Sequence, residues 1–307
     1  MKCGQVKDVV AIVVTYNRKA MLLECVEHLL QQQNAHADIL VVDNASTDGT
    51  AEALQELIND SKVFYCNTGA NLGGAGGFQF GVIEAIRRGY KYLWLMDDDV
   101  NPAADCLEAL LRADKELNGQ YGFLSSVAKW RDGSVCRMNI QKTALNKKIE
   151  DYSSPMVPVI MATFVSFFFK AETAIQFGLP IKEFFIWADD LEYSRRISLK
   201  MPCYVVTDSL VLHNMASNNK VGIESESDDR LWRYEYLYRN EVYLYSREGI
   251  RAKLYLFLRV ILHITRVIIK ARESKRKKIS VIFGSYRKGF KFKPEIEFYS
   301  DQGVSDV

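Results

Sequence analysis

The chain has 307 residues, 48% hydrophobic and 25% charged, which suits a folded protein with one large domain or two smaller ones. Six cysteines (Cys3, Cys25, Cys66, Cys106, Cys136 and Cys203) include no C-x-x-C pair, so a zinc ribbon or disulfide framework is excluded and reduced thiols in a cytosolic protein are expected. The net charge of +2 hides an asymmetry: residues 251–293 hold fourteen Lys or Arg against one acid, Glu273, while the remainder holds 26 basic and 37 acidic residues.

The polar stretch Met1 to Asp8 leads straight into a strand, so no secretory signal is expected. No uncharged apolar run reaches the ~18 residues that span a bilayer. The β-branched run Asp8–Val14 predicts a strand buried on both faces, ending at Thr15-Tyr16-Asn17-Arg18. A helix follows from about Lys19 to Gln33. The second strand is Asp38–Val42, ending at Asp43-Asn44. Ser46 and Asp48 are placed to cap a helix over about Ala51–Ile58, which leaves Asp43 free for a ribose or base. Lys62–Cys66 is a third strand.

The segment Asn71-Leu72-Gly73-Gly74-Ala75-Gly76-Gly77-Phe78 then reads as a glycine loop before a helix that runs to Arg88. It fits neither a P-loop nor G-x-G-x-x-G, but small residues ahead of a helix amino terminus let backbone amides approach a phosphate. The alternative is a flexible turn. Tyr92–Met96 is a buried strand that releases into Asp97-Asp98-Asp99. Three adjacent carboxylates repel one another, and a divalent cation is the usual remedy. A solvated acidic turn, or a cap for a helix starting near Pro102, is the plainer reading. Strand–helix alternation at this spacing predicts a mostly parallel sheet whose strand carboxyl ends share one ligand-binding edge.

In the second half, the bulky run Phe184–Trp187 leads into Ala188-Asp189-Asp190 and a helix through Ile197. Burial and like-charge repulsion would raise one pKa of that pair, as a general base requires; a helix cap is the alternative. His213 follows a strand at Tyr204–Thr207 and the run Leu210–Leu212. A lone histidine is usually structural, but a neutral imidazole here could join the aspartates on a metal.

Taken in order, V-V-T-Y-N at 13–17, V-D-N-A-S-T-D-G-T at 42–50, the D-x-D within 97–99 and W-A-D-D-L-E-Y at 187–193 resemble the inverting nucleotide-sugar glycosyltransferases of family 2, which have the GT-A fold. G-G-A-G-G-F at 73–78, V-L-H at 211–213 and R-N at 239–240 are most similar to the galactofuranosyltransferase and rhamnosyltransferase branch. The resemblance implies that the nucleotide sugar lies along Thr15, Tyr16, Asn17, Arg18, Asp43, Asn71, Gly73, Gly74, Gly76, Gly77, Asp97 and Asp98. It implies Mn2+ or Mg2+ on Asp97, Asp99 and His213, with Asp190 as the acceptor base and Asp189 beside it. Trp187 and Thr163 would meet the acceptor. The region 162–166 lacks the tryptophan cluster of the polymerising relatives, and the chain is shorter, so addition of one or two sugars is expected.

Toward the carboxyl end, Arg259, His263, Arg266 and Lys270 recur at helical spacing amid an apolar surface, within a helix expected from Arg251 to about Lys278. A basic stripe on an apolar helix reads as peripheral binding to an anionic membrane, on the cytoplasmic face of the cell membrane. Packing on the catalytic domain or on a second subunit is the alternative, and the aromatic run 231–238 reads as an ordinary helix interface. The division expected is a catalytic domain over 1–225, with its nucleotide half at 1–100 and acceptor half at 101–225, and a helical membrane-association region over 226–307. The expected partners are a UDP- or TDP-sugar, a lipid-linked glycan acceptor and the membrane surface. A non-catalytic nucleotide or nucleic-acid binder using the basic tail is the rival class. The clustered carboxylates argue against it, because they repel nucleic acid.

Overall fold

The computed structural model describes residues 7–218, 222–300 and 303–306; Cys3, with the rest of the polar segment Met1 to Val6, lies outside them. The first half runs β1 (Lys7–Thr15), α1 (Lys19–Leu30), β2 (Asp38–Asp43), α2 (Thr50–Ala53), α3 (Gln55–Asn59), β3 (Val63–Asn67), α4 (Gly73–Arg87) and β4 (Tyr90–Asp97). The helix expected over Ala51–Ile58 is thus two short pieces, broken at the fully buried Leu54. No helix begins near Pro102. The chain first forms β5 (Val100–Pro102), and α5 (Cys106–Glu116) follows.

Next come β6 (Leu124–Lys129), a small hairpin of β7 (Lys142–Ala144) and β8 (Lys147–Lys148), β9 (Met156–Pro158), β10 (Phe167–Lys170), α6 (Ala171–Phe177), α7 (Asp189–Ser198) and β11 (Tyr204–His213). The last part holds α8 (Trp232–Ser246), α9 (Ile250–Lys270), α10 (Lys275–Gly289) and a hairpin of β12 (Glu297–Ser300) and β13 (Gly303–Asp306).

The main sheet has the order β3-β2-β1-β4-β10-β6-β11-β5, with β9 also on β11. β3, β2, β1 and β4 are parallel, as their continuous apolar runs require. β10 is antiparallel to both β4 and β6, so the sheet as a whole is mixed. β1 alternates strictly between two cores. Val9, Ala11 and Val13 pack under α1 and α5, and Val10, Ile12 and Val14 pack under α4, α6 and α7. Each Val or Ile among them contributes about 1.5–3 kcal/mol by leaving water.

The glycine run is not a loop. Gly73 to Gly77 form the first turns of α4, and packing accounts for most of them. A Cβ at Gly77 would press on Val14, and one at Gly81 would press on Ile12 and Val42, so α4 lies directly against β1 and β2.

The tail also departs from expectation. Its helix ends at Lys270, and a second one restarts at Lys275. Two members of the supposed outward stripe face inward. Arg259 makes a two-pronged ion pair with Glu241 of α8 at 2.7 and 3.0 Å, and His263 bonds Tyr238 at 2.8 Å. Leu256, Val260 and Val267 bury the same side of α9. The five described cysteines are all free thiols. Among the described residues, no helix is long and apolar enough to cross a membrane.

The close packing of α4 generates a test. Gly81→Ala should gain about 1 kcal/mol of helix propensity, yet the added methyl meets the stiff, buried Ile12 and Val42 side chains. Overpacking of that kind costs about 1–3 kcal/mol. A net loss of stability is expected, read as a lower urea midpoint; a raised midpoint would refute the packing argument.

Candidate active site

Strand ends build the site. The carboxyl ends of β1, β2 and β4 lie side by side, with Thr15 beside Asp43 and Val14 beside Asp97. After Asp97 the chain reverses through Asp98 and Asp99 into β5, which pairs antiparallel with the end of β11 and sets His213 beside Val100. That register brings an imidazole 114 residues away to Asp99, Nε2 to Oδ1 at 3.0 Å. Among the described residues, Asp97, Asp99 and His213 are the one group whose ligand atoms all lie within 4.8 Å of each other. Two carboxylates and an imidazole suit a divalent cation.

Protein side chains offset part of the charge in the pocket. Arg18 Nη1 reaches Asp98 at 3.2 Å and Asp99 at 2.8 Å, and the Thr15 hydroxyl donates to Asp98 at 2.8 Å. Burial pushes Asp97 up to about 7, and Asp99 adds to the push. Asp98 rises to about 6, burial outweighing Arg18. Burial would raise Asp99 too, but His213 and Arg18 outweigh it and hold it below its usual value. Burial disfavours the His213 imidazolium, yet the hydrogen bond to Asp99 lifts it to about 10.

Asn139 was not legible as a site residue. Its Oδ1 accepts from His213 Nδ1 at 2.9 Å, and its amide donates to Thr163 Oγ1 at 3.1 Å. This fixes the ring so that Nε2 faces the aspartates, the arrangement that a metal-ligating histidine needs. No motif surrounds Asn139, so no local signal could have found it.

The polar residues expected along the donor edge do gather there, with some roles changed. Asp43 is not free: it is fully buried, Oδ1 accepts from the Ser46 amide at 2.8 Å, and Oδ2 accepts from Tyr65 OH at 2.7 Å. A buried carboxylate needs such partners. Asp48 caps α1 rather than its own helix, accepting from the Lys19 amide at 2.9 Å. Asn17 adopts a φ of 53° and accepts from the Thr47 amide at 2.7 Å, zipping the two loops together. Tyr16 is exposed. Asn71 accepts from the Gly73 amide at 2.9 Å. Gly74 alone of the run has open space beside it. Arg233, read as part of a helix interface, sits 4.5 Å over the Trp187 ring and is close enough to Arg18 for their charges to oppose each other.

Asp189 and Asp190 begin α7 at the end of an unusual backbone. Phe185, Trp187 and Ala188 have φ of 62°, 65° and 68°. Such left-handed geometry costs a non-glycine residue on the order of 1–3 kcal/mol. Burial raises Asp189 to about 6. Burial, then Asp189, then Asp97 push Asp190 well above its usual value, so the charge at the end of β4 bears on Asp190. Lys142 offsets part of this.

The comparisons with known proteins bear on the family and the fold. The model of the family described as "Glycosyl transferase family 2" matches residues 10–170, just over half of the sequence. The chain belongs to glycosyl transferase family 2. It is 26% identical to Galactofuranosyltransferase GlfT1 of Mycolicibacterium smegmatis over 260 residues, 79% of this chain and 84% of that one. Among solved structures, S. aureus TarS superposes with a TM-score of 0.54 at 16% identity, covering 94% of this chain and 44% of TarS. The mannosyltransferase PcManGT of Pyrobaculum calidifontis, solved with GDP-Man and Mn2+, gives 0.56 at 14% identity and covers 93% of this chain and 75% of its own. The protein is a glycosyltransferase with a GT-A type fold.

The raised pKa of Asp190 has a stability consequence. The folded state holds that proton to higher pH than the unfolded state, so stability falls as pH rises from about 4, the unfolded value. Asp190→Asn removes this penalty. The melting temperature of the variant should exceed wild type by more at pH 8 than at pH 5; an equal difference at both would show that Asp190 is not strained by burial.

Proposed function

We propose that the protein is an inverting, metal-dependent hexosyltransferase. It would take galactofuranose from UDP-galactofuranose and add one or two sugars to a lipid-linked acceptor of a cell-surface glycan. The observation that carries this reading is the convergence of two groups. The Asp97–Asp99–His213 set includes the carboxylate, Asp97, whose charge bears on the partly buried, raised carboxyl of Asp190. The similarity to Galactofuranosyltransferase GlfT1 supports the sugar.

A manganese or magnesium ion on Asp97, Asp99 and His213 would neutralise the diphosphate leaving group. Arg18, half exposed on its side chain, would turn from Asp98 and Asp99 toward the diphosphate, with Arg233 near it at the crevice mouth. The amino terminus of α4, open at Gly74, would favour the same negative charge. Asp190 would take the proton of the acceptor hydroxyl as that oxygen attacks the anomeric carbon from the face opposite the leaving group, which inverts the configuration. Trp187 and Thr163 would border the acceptor.

The outer face of α9 supports the lipid setting. Leu254, Phe257, Leu258, Ile261, Leu262 and Ile269 are all exposed there, and Arg251, Lys253, Arg266 and Lys270 flank them. Apolar side chains edged by cations match an anionic lipid surface, and residues 226–307 would hold the enzyme at the inner face of the cell membrane. Paired substitution Phe257→Ser and Ile261→Ser should release the full chain from vesicles containing phosphatidylserine, without changing its melting temperature. Retained vesicle binding would overturn the membrane assignment, and a dimer that dissociates instead would identify the face as a subunit contact.

For the chemistry, the test is release of nucleotide from UDP-galactofuranose and TDP-rhamnose with and without Mn2+. Transfer should need the metal, and Asp190→Asn should lower turnover about a hundredfold or more while nucleotide binding persists. Asn139→Ala should weaken Mn2+ binding about 10–100-fold, as loss of a histidine-orienting partner does. Metal-independent turnover, or an unaltered Asp190→Asn rate, would reject the mechanism.

A further inference from the structure

The loop that delivers Asp189 and Asp190 could not hold its shape by itself. Three of its four residues from Phe185 to Ala188 are left-handed without being glycine. Left-handed backbone of this kind persists only where the surroundings over-determine it. Here the surroundings are named side chains of α8, a helix outside the family-matched segment 10–170.

Asn240 is fully buried, and its side chain bonds the loop and its own neighbour Arg239. Its Nδ2 donates to the carbonyls of Phe184, Ile186 and Trp187 at 3.0, 3.2 and 2.8 Å. Its Oδ1 accepts from Arg239 at 3.0 and 2.9 Å. Arg239 in turn donates to the Glu183 carbonyl and lies 3.9 Å over the Phe292 ring. The opposite side of the loop meets α4. The Ala75 amide donates to the Phe185 carbonyl at 3.2 Å, and any Cβ at Gly73 would run into that carbonyl. The loop is therefore held between α8 on one side and the first turn of α4 on the other.

We propose that Asn240, oriented by Arg239, is a positioning residue for the reaction. It clamps the left-handed backbone of Phe185–Ala188, fixes the direction of the Asp189 and Asp190 carboxylates, and ties them through the Phe185 carbonyl to the donor-side turn of α4. This deepens the reading of Asp190 as the base and rests on it. An amide is the side chain suited to the task, since its two N–H donors, one of them shared, cover the three carbonyls while the oxygen stays available for the guanidinium. The carbonyls cannot turn to water without leaving the conformation that aims α7.

The experiment uses the full chain with Asn240→Ala, Ala188→Gly and the pair, alongside Asn240→Ser in case the alanine variant does not fold. Hydrogen exchange needs no substrate: amides 185–191 should exchange faster in the Asn240 variants than the rise in global unfolding explains. In transfer assays the turnover should fall about a hundredfold, as misplacement of a reacting group does, while the affinity for UDP with Mn2+, measured by calorimetry, stays within about twofold. Ala188→Gly should restore about tenfold of the lost turnover, because glycine takes the left-handed φ without the Cβ penalty. Unchanged exchange at 185–191 would overturn the clamp, as would a turnover loss matched by equal losses of nucleotide affinity and melting temperature, or a failure of the glycine to restore rate. Absence of transfer by the wild type would instead reject the proposed function and leave the exchange result to decide the clamp.

Discussion

Everything in the crevice follows from one electrostatic constraint: three aspartates placed in succession at the buried end of β4. Like charges a few ångströms apart in a poorly solvated site cannot all ionise without help. The fold answers by bringing positive or proton-bearing groups from far along the sequence. Arg18 comes from the turn after β1 and His213 from the end of β11, both on Asp99. The antiparallel pairing of β5 with β11 exists at the point where it serves this purpose. The carboxylates and imidazole gathered in this way are donors of the kind that suit a divalent cation.

The glycines of α4 meet a second constraint, one of distance. A nucleotide-binding edge needs its helix close to the strand ends, and Gly77 and Gly81 let α4 lie directly on Val14, Ile12 and Val42. Gly73 gives the same freedom to the Phe185 carbonyl. The run is thus a packing device that also leaves an open helix amino terminus, and the two uses do not compete, because they fall on different faces of the helix.

These two constraints explain what could be read in the sequence and what could not. The parallel strands were legible, since β-branched runs with acids at their ends have few other homes. The grouping of Asp97, Asp99 and His213 was legible because three successive acids closing an apolar run stand out and the family resemblance points to the histidine. The glycine run reads as a loop in sequence because four glycines in five residues carry a high helix penalty, which only tertiary packing overrides. Asp48 caps a helix 29 residues upstream rather than the one that follows it, and Asp43 spends its carboxylate on Ser46 and Tyr65, because both partnerships depend on loops that meet only in the fold. Asn139 and Arg233 had no local signal at all, because their roles depend on which strand and helix meet in space. Arg259 and His263 fitted an outward stripe by periodicity alone, but their partners Glu241 and Tyr238 on α8 pull them inward.

The same inward pull changes how the carboxyl-terminal helices relate to the chemistry. α8 faces α9 with Glu241 and Tyr238, and faces the Asp189–Asp190 loop with Arg239 and Asn240. These neighbours in sequence point to opposite duties on one helix. The exposed apolar face of α9 lies on the side turned away from α8. A rigid helix between an outer surface and a strained loop transmits position without needing a hinge. The strain of the loop, three left-handed residues before one buried and one half-buried acid, is then tolerable because α8 is anchored on both sides. Stability is spent at the acids and the loop, and is recovered in the sheet and in the α8–α9 contact, which is the usual distribution for a protein whose site must hold like charges in fixed directions.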